Sequence, residues 1–80
     1  LEEFTAITII STKSSQIRDE ITGTLGRGVT IIKGSGGISR EDKDILYCVV
    51  TRLEIEKVKT ITKHHDPNAF VTMHLLADVV

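Results

Sequence analysis

The chain has no tryptophan, one cysteine, one proline, one tyrosine and two phenylalanines. A single cysteine, Cys48, excludes a disulfide framework and fits a reducing compartment, where it reads as a plain buried thiol. So few aromatic residues leave no stacking platform for single-stranded RNA, with only Tyr47 on a central strand. Nor is there an excess of either charge. Ten basic residues stand against eleven acidic ones, net -1, which argues against a nucleic-acid partner. No apolar run approaches the ~20 residues needed to span a bilayer, and nothing resembles a signal peptide, so the piece itself reads as soluble. Eighty residues make one small domain, 1-80, that is marginal as a monomer. A start at Leu1 rather than Met suggests a piece excised from a longer chain.

What is present is a regular alternation of elements. "TAITIIS", residues 5 to 11, is β-branched and reads as a strand. Ile17, Ile21 and Leu25 recur at four-residue spacing among charged residues, which predicts a helix over roughly 13 to 25, closed by Gly26. "VTIIK" at 29 to 33 is a second strand, and "DILYCVV" at 44 to 50 a third, apolar enough to be central. Thr51 and Glu54 fit a capping box, with Val50 and Ile55 as its hydrophobic staple. The second helix then carries Ile55, Val58 and Ile61 inward and stops at Asp66 and Pro67. "AFVTMHL" at 69 to 75 is a fourth strand, and "LADVV" a tail able to start another short element.

The order β-α-β-β-α-β predicts an α+β, ferredoxin-like sandwich: a four-stranded antiparallel sheet with two helices on one face and the first and third strands in the middle. The third strand is apolar on both sides, with Ile45, Tyr47 and Val49 opposite Leu46, Cys48 and Val50. The first strand repeats this, with Ala6, Thr8 and Ile10 opposite Ile7 and Ile9. Both faces therefore read as buried, and a five-residue tail is too short to cover the helix-free one. A cover by another subunit or another domain is the expectation, with self-association through that face the leading one.

"KGSGG" at 33 to 37 raises the possibility of a phosphate cradle. A strand follows the glycines where a Walker loop or a dinucleotide fingerprint needs a helix, so both fail. A plain hairpin turn is one reading. The other is a loop over a small anionic metabolite at a subunit boundary, with Arg27, Lys33 and Arg40 supplying charge and Gly34, Gly36 and Gly37 supplying backbone donors. His64 and His65 are adjacent on a helix and diverge by about 100°, and His74 lies on a strand, so no metal site is expected. Asp66-Pro67-Asn68 reads as a turn, and Phe70 as a core or interface residue. Enzymes of this architecture do not fit. Paired cysteines and an arginine after the first strand are both missing, and Cys48 has no base beside it, so neither catalysis nor a cofactor is expected.

Taken together, "IIS" at 9 to 11, "RGVTI" at 27 to 31, "KGSGG", "CVVTRLE" at 48 to 54 and "DPNAFV" at 66 to 71 resemble the C-terminal soluble domain of the YitT family of bacterial membrane proteins, a domain of unknown function. The resemblance runs nearly end to end. It departs at Ile38, where the family pattern has an aromatic residue, and in lacking a closing Gly-Phe. It implies a multi-helix membrane portion of the same chain before Leu1 and a place on the cytoplasmic face of the membrane. Similar architecture occurs in PII-like and ACT domains, and that fold analogy suggests an oligomeric regulatory domain; the alternative is a purely structural oligomerisation module with no ligand.

Overall fold

The computed structural model describes residues 3-80. The elements are β1 (Phe4–Ile10), α1 (Ser14–Leu25), β2 (Thr30–Ser35), β3 (Asp42–Thr51), a 3₁₀ turn (Arg52–Glu54), α2 (Ile55–His65) and β4 (Phe70–Leu75). All pairings are antiparallel and the sheet order is β2-β3-β1-β4, which is the ferredoxin-like arrangement. Both helices lie on one face. Ile17 and Ile21 of α1 and Val58 and Ile61 of α2 meet Ile7, Ile9, Leu46, Cys48 and Val50 in one core.

Local chemistry accounts for the boundaries. Gly26 ends α1 in the left-handed region at φ 63°, and its N–H donates to the Thr22 carbonyl at 3.1 Å. At α2 the capping box forms, but its first turn is 3₁₀ rather than α. The Thr51 N–H donates to Glu54 Oε1 at 2.8 Å, and Ile55 packs against the core cluster to which Val50 belongs. The turn after α2 is an Asx turn, in which Asp66 Oδ1 accepts the Asn68 N–H at 2.9 Å.

Three boundaries differ from the sequence reading. β2 runs on through Gly34 to Ser35, and β3 begins at Asp42, because Ser35 pairs with Asp42 and Gly34 with Lys43. Hairpin pairing overrides the poor strand preference of glycine and three charged residues. Residues 76-80 contain neither helix nor strand.

One buried polar atom in the core has no partner among the described residues. Thr62 on α2 is 0% exposed and its Oγ1 meets no hydrogen-bonding group. Replacing the hydroxyl by a methyl of the same shape removes a desolvation cost of about 1 kcal/mol. Thr62→Val is therefore expected to raise the urea midpoint, and an unchanged or lower midpoint would show that the hydroxyl is satisfied in solution.

Candidate functional site

The glycine segment closes the β2–β3 hairpin. The Gly36 N–H donates to the Glu41 carbonyl at 2.9 Å and the Arg40 N–H to the Gly36 carbonyl at 3.0 Å, with Arg40 at φ 61°. A Cβ on Gly36 would crowd Ser39 Oγ and lie 3.2 Å from Lys43 Cε, both at side-chain ends that can turn aside, so glycine leaves room for these side chains beside the backbone. Gly34 belongs to β2 rather than to the loop, while Gly37 and Ile38 sit at the open tip. The Gly36 amide, as a closing bond of the hairpin, is already used.

The three candidate cations are not gathered at this loop. Arg27 lies before β2, whose six residues span roughly 20 Å. Its guanidinium grips Glu54, with Nε 3.0 Å from both carboxylate oxygens and Nη2 2.9 Å from Oε1. That bidentate bond, reinforced by the Thr51 donors, holds the Glu54 carboxyl below the usual carboxylate range. Lys33 Nζ lies 2.7 Å from Asp44 Oδ1 on the hairpin surface, and Arg40 is exposed.

Beside the hairpin two shallow hollows adjoin. One, of about 340 Å³, is lined by Ser11, Thr12, Ser14 and residues 41-44, and the other, of about 380 Å³, by Ile10, Asp66, Asn68 and Phe70 among others. Ser11, Thr12 and Lys43 border both. Ser11 Oγ donates to Asp66 Oδ2 at 2.6 Å and accepts the Lys13 N–H at 2.9 Å, which joins the start of α1 to the end of α2. These bonds, the Ser11 hydroxyl foremost, keep the Asp66 carboxyl below its ordinary range. Sequence reasoning passed over Lys43 and the "STKSS" segment. Its one available signal was the clustering of hydroxyls between a strand and a helix.

The histidines have separate roles. His65 Nε2 lies 2.6 Å from Glu20 Oε1 and ties α2 to α1, with the His64 ring edge-on at 5.3 Å. Among the described residues no three His, Cys, Asp or Glu side chains gather as a metal site would need. Cys48 is buried, and burial, with the nearby Glu54 charge second, pushes its thiol up.

The largest chemical feature is the sheet face without helices. Residues directly opposite in the ladders share a face, so Phe4, Ala6, Thr8 and Ile10 stand with Ile45, Tyr47 and Val49, flanked by Ile32 and Phe70. Ala6 is buried, and Thr8, Ile10, Ile45, Tyr47 and Val49 are half-buried. Phe70 is 62% exposed and Ile32 46%, so Phe70 is no core residue: β4 is an edge strand, and only Ile10 lies opposite it. No aspartate or glutamate occupies an open-face strand position.

The chain is similar to three membrane proteins of Bacillus subtilis. It is 44% identical to UPF0750 membrane protein YpjC over 73 residues, 39% to YxkD over 74 and 32% to YitT over 65. These alignments cover 91%, 92% and 81% of this chain but only 25%, 27% and 23% of the relatives, so the chain spans about a quarter of their length. No helix among the described residues is long and apolar enough to cross a membrane. The crystal structure of an uncharacterized DUF2179 protein from Eubacterium ventriosum superimposes with a TM-score of 0.78 at 28% identity, covering 89% of this chain and 97% of that one. A functionally unknown protein from Pediococcus pentosaceus shares the fold at a TM-score of 0.77 and 13% identity, over 99% of this chain and 96% of that one. The model of the family described as "Uncharacterized protein conserved in bacteria (DUF2179)" matches residues 27–80, and the chain belongs to that family.

Proposed function

We propose that this domain is an assembly module of a bacterial membrane protein, facing the cytoplasm, in which two copies pack their open sheet faces together. The observation that carries this reading is that face: apolar at its centre, without a carboxylate at any of its strand positions, and uncovered in a domain too small to bury it alone. A second copy fits it because an isologous contact brings one apolar centre against another, with Lys43 and His74 the ionisable nitrogen groups at its described strand positions. The single unpaired Cys48 agrees with a reducing cytoplasm.

The solved Eubacterium relative is almost wholly covered by this one domain, so the isolated 80-residue chain is a fair test object. Sedimentation equilibrium should show concentration-dependent association, lost in Ile32→Asp, whose exposed position leaves the thermal midpoint nearly unchanged. A wild-type domain that stays monomeric at millimolar concentration would overturn the reading and leave the membrane portion as the cover. Regulation by a small anion is a second element, favoured by Lys43, which has no carboxylate partner among the described residues and borders both hollows. Thermal shift with inorganic phosphate, nucleotides and amino acids tests it. Association without any shift would leave a purely structural module.

A further inference from the structure

The sheet has two edges, and they are not alike. β2 carries Lys33 at its centre and Gly34 beside it, both deterrents to pairing with another chain. β4, "FVTMHL", carries no lysine, arginine, carboxylate or proline and pairs with β1 over all six residues without interruption. Met73 is 39% and Leu75 71% exposed.

The direction of the free backbone groups on β4 follows from one hydrogen bond. The Leu76 N–H donates to the Phe4 carbonyl at 2.9 Å, which makes Phe4 and Leu76 a hydrogen-bonded pair of the antiparallel ladder. Counting back in twos, His74, Thr72 and Phe70 also point their amides at β1. Val71, Met73 and Leu75 therefore aim theirs away from the sheet. The same count on β2, started from the Gly36-to-Glu41 bond, turns Ile31, Lys33 and Ser35 outward. Lysine sits at the middle of one edge and methionine at the middle of the other.

We infer that β4 pairs with β4 of a second copy, antiparallel about a two-fold axis through Met73, to form a continuous eight-stranded sheet. With Met73 opposite Met73, Val71 lies opposite Leu75 on both sides of the axis, so all three outward residues find partners in six N–H···O=C bonds. Pairing odd residues with odd residues keeps the helices of both copies on one side and joins their open faces. On the helix side the contacts are Met73 with Met73 and Val71 with Leu75, all apolar; on the other, Thr72 meets His74. No like charges of fixed sign are brought together. The inference stands apart from the face-to-face reading, since edge and face are different surfaces.

Amide hydrogen exchange on the 80-residue chain reads this residue by residue. Thr72 and His74 amides should be protected at every concentration. Those of Val71, Met73 and Leu75 should exchange freely when dilute and gain at least tenfold protection when concentrated, including in Ile32→Asp, where face pairing is broken. Met73→Pro removes only an outward N–H and should abolish that gain. Should that variant fold poorly, Met73→Lys places two ammonium groups against each other on the axis and should act the same way. Free exchange at Val71, Met73 and Leu75 at millimolar concentration, or full protection in both variants, would overturn the inference.

Discussion

Ile7→Ala is expected to cost about 3 to 4 kcal/mol and to leave little folded protein at 37 °C. Ile7 is 0% exposed on a central strand, opposite Cys48 on one side and Met73 on the other, beneath both helices. Deleting a buried isoleucine to alanine loses the transfer free energy of three carbons and leaves a cavity, which together run to about 2-5 kcal/mol. A domain of this size has in all roughly 4-12 kcal/mol of stability to lose. Urea unfolding followed by circular dichroism should show a midpoint at least about 1.5 M lower. Ile10→Ala, on the same strand but facing away from the helices, should cost less than half as much in the monomer. Equal costs would mean that the open face is covered within one chain.

The second large effect falls at the junction where Arg27, Thr51 and Glu54 meet. Glu54→Ala removes the capping box of α2 and the bidentate partner of a side chain only 35% exposed, and is expected to cost about 2 kcal/mol. Lys33→Ala is the contrast. Its ion pair with Asp44 joins a lysine that is 82% exposed, so its loss should change stability by less than about 0.5 kcal/mol. The Glu54 contribution also has a definite pH dependence. Its folded carboxyl titrates below the free value of about 4.3, so its stabilisation is fully present above that pH and is lost as pH falls through the folded value. The stability gap between wild type and Glu54→Gln should stay constant from pH 7 to 5 and narrow below about pH 4. A gap that opened on acidification would contradict the assigned ion pair.

Arg27 also shows where the sequence stops being readable. The stripe of α1, the glycine that ends it, the capping box and the order of strands all depend on residues within a few positions of one another. They could be read, and with them the topology. The partner of Arg27 is 27 residues away, and no local pattern says that β2 begins beside the start of α2. A basic residue near glycines thus reads as a ligand group when the fold spends it on Glu54. The same limit hid Lys43. Charged residues straight after a glycine loop read as part of it, and only the ladder from Ser35 to Asp42 makes Asp42 and Lys43 strand residues bordering the hollows. Phe70 reads as core or interface by its type, and the choice between them turns on β4 being an edge, which is decided by the sheet order and not by the strand's own residues.

The bond between Phe4 and Leu76 has one more consequence. It brings the beginning of β1 and the end of β4 side by side at one end of the sheet, while the hairpin tip and the hollows occupy the other, seven strand residues or about 23 Å away. Any polypeptide joined before β1 or after β4 therefore departs from a common root. The domain extends from that root with its glycine tip and hollows at the far end.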